Sequence, residues 1–226
     1  MTSHHYEKDP AAIYASSFSI IRQEAGDALA TLPPSLEPVA VRLMHSVGMT
    51  DLVADLRFSP NAADTGLAAL TRGTTILVDT QMVAGGISPR FFAQGAALSK
   101  NRVLVTLNDP QVSDIANEMK TTRTAAAMEL WRPHLEGSIV AIGNAPTALF
   151  RLLEMVRQGA GKPALVLGFP VGFVGAAESK QALVGEAAEL ELDYIAMLGR
   201  RGGTPMASAA VNALAIAALG QSDKPM

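Results

Sequence analysis

SIVAIGNAPTALFRLLEMVRQG (residues 138–159) and PALVLGFPVGFVGAAESKQALVG (residues 163–185) lie almost back to back, and their reading decides the fold. Each opens with an apolar run suited to a strand buried on both faces, meets Gly, Asn or Pro where that run ends, and continues with helical periodicity. Two such units in succession describe parallel strands joined by helices that cover the sheet. Three further apolar runs match them: TTILVD (74–79), RVLVTL (102–107) and LDYIAML (192–198). Segments with helical spacing separate most of the five. The alternation predicts an α/β fold, a three-layer α/β/α arrangement around a mainly parallel five-stranded sheet preceded by N-terminal helices. Right-handed crossovers bring all five carboxyl ends to one edge, where helix N-termini present unpaired N–H groups and positive dipole ends. That edge is the expected ligand site.

Working back toward the N-terminus, Asp9-Pro10 reads as an N-cap followed by proline at the first helical position. Tyr14, Phe18, Ile21 and Ala25 then recur at helical spacing. Pro33-Pro34-Ser35 breaks the chain, and Val39, Leu43 and Val47 define a second helix that Gly48 closes. A short helix is expected from a Thr50-Asp51 cap through Phe58, and another over 61–72. No low-complexity linker or internal repeat divides the sequence. Residues 1–226 therefore read as a single domain, its helical part (1–73) preceding a parallel α/β core (74–220).

The chain has 226 residues, 49% of them hydrophobic and only 5% aromatic, so the core is aliphatic and rich in alanine. A mean hydropathy of +0.22 leaves apolar surface for a partner subunit. A net charge of −3 provides no basic field, which argues against nucleic acid and membrane surfaces as partners. Any anionic ligand is held by local donors. With no cysteine, disulfides, thiolate nucleophiles, Cys-ligated zinc and iron–sulfur clusters are excluded. The first residues, MTSHHYEKDPAAIYASS, lack a charged-then-apolar signal pattern, and the longest apolar stretch, near 207–219, is interrupted by Asn212. These features lead to the expectation of a cytoplasmic protein.

Gly168, Gly172 and Gly175 invite comparison with a dinucleotide fingerprint, but their spacing is G-x-x-x-G-x-x-G and they sit in a late unit. In GAAESK the lysine follows the serine, the reverse of a phosphate-binding G-K-[ST] loop. No serine lies in G-x-S-x-G, so a hydrolase triad has no support. Close helix–strand packing explains the glycines without any ligand. Among the four histidines, His4 and His5 belong to the terminus and His134 follows Pro133 at a helix end. His45 differs. It lies in the last turn of the second helix, beside the apolar stripe and three residues after Arg42, where the helix end favours imidazolium and Arg42 opposes it. On these grounds alone its role stays open between proton transfer and a hydrogen-bonded structural position.

VRLMHSVG (41–48), MKTTRTAAAMELW (119–131), VAIGNAPTALFRLLE (140–154) and GFPVGFVGAAESK (168–180) together resemble the precorrin-8X methylmutases of cobalamin biosynthesis. AIYASSFSIIRQEA (12–25) and RGGTPMASAAVNALA (201–215) extend the resemblance over almost the whole chain. It implies an isomerase that moves a methyl group from C-11 to C-12 of a corrin-type macrocycle by a 1,5-sigmatropic shift, giving hydrogenobyrinic acid. It makes His45 the general acid that protonates the ring C region, a task imidazole suits because it titrates near neutrality. An intramolecular migration of this kind needs no redox cofactor, nucleotide or metal. The resemblance also implies a homodimer whose sites use both subunits.

A corrinoid acid is a wide apolar ring rimmed with carboxylates, so its site needs a broad hydrophobic slot with separated donors. Expected donors are the N–H groups of the Gly143-Asn144 turn and of the 168–175 turn, which contains Gly172. Arg123 is expected to clamp a carboxylate, and Ser17, by the resemblance, to donate to the macrocycle's periphery. Glu178, Ser179 and Lys180 are expected to join them, with a solvated surface position as the alternative for Lys180 and a helix cap as the alternative for Asn144. One of Arg200 and Arg201, here assigned as Arg201, faces the ligand, and Thr80 and Gln81 follow from position alone. The metal-free substrate is favoured over its cobalt complex. A corrinoid-binding module without chemistry is the competing class.

Overall fold

The structure, a computed structural model, describes residues 4–221. The first helix, α1 (Pro10–Leu29), starts where Asp9 accepts the N–H of Ala11 at 3.0 Å, with Pro10 at the first helical position. Tyr14, Phe18, Ile21, Ala25 and Leu29 are its buried stripe. Burying a side chain of the size of Phe18 contributes about 1.5–3 kcal/mol. Helix α2 (Glu37–Val47) packs against α1 and ends at Gly48, whose N–H reaches Met44 O at 2.9 Å.

The expected helix through Phe58 is corrected. A single 3-10 turn covers Leu52–Asp55, after which the chain extends into β1 (Leu56–Phe58). The remaining elements follow in order: α3 (Ala62–Arg72), β2 (Thr75–Val78), α4 (Gln81–Gly86), α5 (Pro89–Phe92), β3 (Arg102–Leu104), α6 (Val112–Met119) and α7 (Arg123–Ala127). Then come β4 (Ile139–Ile142), α8 (Pro146–Arg157), β5 (Leu165–Gly168), α9 (Ala176–Leu190), β6 (Tyr194–Met197) and α10 (Thr204–Ala218).

The sheet has six strands in the order β1-β6-β5-β4-β2-β3, not five. All neighbours are parallel except β1, which pairs antiparallel with β6 through Leu56↔Met197 and Phe58↔Ile195. The sixth strand exists because the outer side of β6 would otherwise leave its backbone groups unpaired. The other five are the five apolar runs, so the α/β class and the mainly parallel sheet hold.

Strand residues alternate between the two faces, and the core divides accordingly. Ile76, Val78, Ile139, Ala141, Leu165, Leu167, Ile195 and Met197 share one cluster with α1, α2, α3 and α10. Leu77, Val140, Ile142, Val166 and Ala196 share the other with Trp131, α8 and α9. The N-terminal helices are thus packed into the same cluster as the sheet and the last described helix. Helix α10 is buried over most of its circumference, and its alanines let α2, α3 and α4 approach closely. Gly143 serves the same purpose: a Cβ there would stand 2.8 Å from Val83 Cγ2 and 2.9 Å from Ala207 Cβ. Among the described residues, no helix is long and apolar enough to cross a membrane.

Candidate active site

The carboxyl edge of the sheet is laced together by its own groups. Asp79, at the end of β2 and only 2% exposed, accepts the N–H of Gly143 at 3.0 Å, of Asn144 at 2.8 Å and of Ala145 at 2.9 Å. Burial pushes its carboxyl above the usual carboxylate range, against the pull of these three donors. Thr80 caps α4 through the N–H of Val83 at 3.3 Å. Lys180 is buried on α9 and donates to Arg201 O at 2.5 Å, while Gly203 N–H reaches Phe169 O at 2.8 Å and Gly172 N–H reaches Arg200 O at 3.3 Å. Burial lowers the Lys180 ammonium to about 8, with Asp55 pulling the other way. The turn after β4 is therefore held by Asp79 from the end of β2, and the turns after β5 and β6 hold each other.

His45 stands apart from that lacing, in a cleft between helices. A cavity of about 350 Å³ is lined by Arg42, His45 and Ser46 of α2, by Gly86 at the end of α4, and by Pro205, Ser208 and Asn212 of α10. The His45 ring lies 5.0 Å from the Phe18 ring and 5.5 Å from the Tyr14 ring, centroid to centroid. Its Nδ1 is 2.9 Å from Ser17 Oγ. A hydroxyl can donate to Nδ1 of the neutral ring or accept from the Nδ1–H of imidazolium, so this one contact orients the ring in both protonation states. Nε2 has no protein partner among the described residues. Burial, and then the charge of Arg42, hold the imidazole below its ordinary value of 6.5. Asn212 fixes the far wall: Nδ2 donates to Gly86 O and Oδ1 accepts from Ser88 N–H, each at 2.9 Å.

Of the residues singled out in the sequence, the structure brings Ser17 against the His45 imidazole and, at the sheet edge, Lys180 against the Arg201 carbonyl. The N–H groups at Gly143 and Asn144 do not point outward as free donors, because Asp79 already accepts them. The Asn144 side chain is exposed and does not cap α8, whose N-cap is Ala145. Arg123 is exposed at the start of α7, with Nη2 3.2 Å from Leu107 O. Ser179 is buried and donates to Ala176 O at 3.2 Å, and Lys180 is buried rather than solvated, because the Arg201 carbonyl gives its ammonium an acceptor. Arg201 pairs with Asp51 at 2.8 Å. Gly172 lies in a turn whose Val171, Phe173 and Val174 are exposed. Arg42, Asn212 and Ser208 were not assigned a role at the site. Each left a signal: a charge inside the apolar run VRLM, and two polar residues in an alanine-rich helix buried nearly all round.

The family model described as precorrin-8X methylmutase matches residues 12–217. A precorrin-8X methylmutase of Pseudomonas aeruginosa is 54% identical over 210 residues, covering 93% of this chain and 97% of its own. One from Sinorhizobium is 46% identical over 215 residues, covering 95% and 98%. A cobalt-precorrin-8 methylmutase of Priestia megaterium is 35% identical over 209 residues, covering 92% and 88%. Among solved structures, precorrin-8X methylmutase from Thermus thermophilus superposes with a TM-score of 0.78 at 40% identity, covering 92% of this chain and 98% of that one.

Proposed function

This chain belongs to the precorrin-8X methylmutase family, isomerases of cobalamin biosynthesis, and from that premise we propose that it converts precorrin-8X to hydrogenobyrinate, with His45 as general acid. The observation that carries this reading is the half-buried imidazole at a cavity wall. One nitrogen is oriented by Ser17 and the other has no protein partner among the described residues. A proton delivered to the ring C region makes the conjugated system more electron-poor, which favours arrival of the methyl pair of electrons at C-12. The same proton returns to Nε2 when the shift is complete. The aromatic rings of Tyr14 and Phe18 keep water from the imidazole's other side.

The metal-free substrate is favoured over its cobalt complex, because the more similar of the relatives compared are named for the metal-free form. Around the macrocycle, Ser17, Arg123, Asn144, Gly172, Ser179, Lys180 and Arg201 are retained as the binding set in two roles. Exposed Arg123, the Asn144 side chain and the Gly172 turn face the macrocycle, while Ser17 orients His45, Lys180 and Arg201 hold the turns, and Ser179, bonded within α9, supports Lys180 beside it.

A cavity of about 350 Å³ is near the lower end of ordinary ligand pockets, roughly 300–1,000 Å³. A tetrapyrrole with its side chains extends beyond it. A homodimer that covers the remainder is supported by Phe173 and Val174, which are 83% and 89% exposed. The absence of cysteine supports a reducing, cytoplasmic setting, and the shared hydrophobic cluster supports one domain over 1–226. The direct test is incubation with precorrin-8X and observation of the visible spectrum, which is expected to convert to that of hydrogenobyrinate. An unchanged spectrum with active controls removes the assignment. Light scattering tests the dimer, and an active monomer refutes it.

A further inference from the structure

Asn212 uses its amide on a segment other than its own helix. Helix α10 is alanine-rich and buried nearly all round, and Asn212 is 8% exposed within it. A buried amide costs free energy unless its donor and acceptor are met. Both are met across the cleft wall: Nδ2 donates to Gly86 O and Oδ1 accepts the N–H of Ser88, each at 2.9 Å. These are groups that two short helices leave over. Helix α4 ends at Gly86, and Ser88 is the N-cap of α5, ahead of its first helical residue. The side chain answers the turn as a neighbouring strand would, with one donor and one acceptor.

On its other side the turn meets a stop. A Cβ at Gly86 would stand 2.5 Å from Ser208 Oγ and 2.8 Å from Ser208 Cβ. The hydroxyl is itself held, turned back onto Thr204 O at 2.9 Å and Pro205 O at 3.2 Å. Val83 and Ile87 bury their side chains on either side of Gly86, but apolar packing alone is non-directional. Ser208 therefore sets how near the turn comes to α10, and Asn212 sets how far it can stray.

Gly86, Ser208 and Asn212 line the His45 cavity, with Arg42, His45 and Ser46 of α2 across from them. Helix α10 packs directly against α2, so the seam between α4 and α10 fixes the remaining wall relative to the imidazole. Proton transfer tolerates little error in distance. We infer that Asn212 is a positioning residue for the proton transfer: by holding the Gly86–Ser88 turn against Ser208, it sets the height at which the macrocycle meets His45 Nε2. This rests on the reading of the ligand as a tetrapyrrole and of His45 as its general acid. Asn212 acts through the wall and takes no part in the bonds that change.

The test uses the full-length protein, with hydrogenobyrinate as the binding probe, precorrin-8X for turnover, and 15N-labelled histidine in which His45 is assigned by its loss in His45→Ala. In the wild type the Nε2 resonance of His45 is expected to move when hydrogenobyrinate binds. In Asn212→Ala that movement is expected to be largely lost and kcat to fall about ten- to hundredfold, the scale of a small misplacement of reacting groups, with KM and affinity within about threefold. Added to His45→Ala, the same substitution should lower the rate no further. A second route leaves Asn212 intact and decides the matter if Asn212→Ala does not fold. Gly86→Ala should displace the wall and reproduce both losses, and Ser208→Gly added to it should restore them, because the obstructing atoms are then gone. A merely structural amide would lower the urea midpoint and leave kcat and the Nε2 response as in the wild type. That result, or additive rates with His45→Ala, overturns the inference. If the Nε2 responses follow this pattern but precorrin-8X is not converted, the wall stands and the catalytic reading fails. Conversion by the wild type, with the Nε2 response intact in both variants, has the opposite meaning.

Discussion

At the carboxyl edge of the sheet, Asp79 takes three backbone N–H groups and Lys180 takes the carbonyl of Arg201. In the cleft between α2 and α10, among the described residues, Arg42 has no anion and His45 is bonded at one nitrogen only. The two regions are built from polar groups of similar kind. What separates them is whether those groups are already satisfied by the protein. A buried polar group that is answered holds the backbone in place, and one that is left unanswered waits for a ligand. The edge has the most distinctive words in the sequence, but its inner groups are scaffold. The cleft, assembled from plainer helices, has the groups left for chemistry.

The contrast can be broken by substitutions that separate activity from stability. His45→Ala should lower turnover by roughly 10²–10⁴-fold, the usual worth of a positioned proton donor, while hydrogenobyrinate still binds and urea unfolding remains cooperative. Wild-type-like turnover would place the chemistry elsewhere. Asp79→Ala should do the reverse. It strands two buried N–H groups, of Gly143 and Ala145, at about 1–3 kcal/mol each, so unfolding should become easier by at least about 2 kcal/mol, while turnover per folded molecule changes severalfold at most. A small loss of stability would show that the edge is not the scaffold.

Two smaller effects sharpen the division. Ser17→Ala removes the contact that orients the imidazole, and kcat should fall about two- to tenfold, as expected for one lost hydrogen bond, with the unfolding curve unchanged. A shifted unfolding curve with unchanged kcat would make Ser17 structural. For Lys180, burial brings the folded-state value to about 8 from 10.5. The unfolded chain therefore holds that proton more tightly, and the cost of burying the charge is fully present below pH 8. It is relieved between pH 8 and 10.5, so the unfolding free energy should rise in that window. The rise should be absent in Lys180→Met.

Much of the fold was legible because β4, β5 and β6 are buried on both faces and so appear as unbroken apolar runs. Strand β1 was not. Its three residues carry one buried side chain, and its pairing depends on an edge formed some 140 residues later. His45 was set apart by its place at a helix end beside an apolar stripe, but that place left its role open, and the expectation of a general acid came from the family resemblance. Its partner Ser17 was singled out for a different contact, since nothing local reveals which way a hydroxyl on α1 faces. Lys180 and Arg42 share a further obstacle. Whether a long cationic side chain is solvated or buried depends on what packs over it, and for both that cover comes from distant segments. For Arg42 the cover includes α1 and α10.

Helix α10 is the last described element, yet it supplies the wall opposite His45 and ties α4 in place through Asn212. During synthesis His45 leaves the ribosome early, and about 160 residues must follow before the wall facing it exists. A nascent chain ending before Thr204 carries His45, Ser17 and Arg42 but no cleft. The cleft is thus a property of the finished chain, because its two walls are separated by most of the sequence.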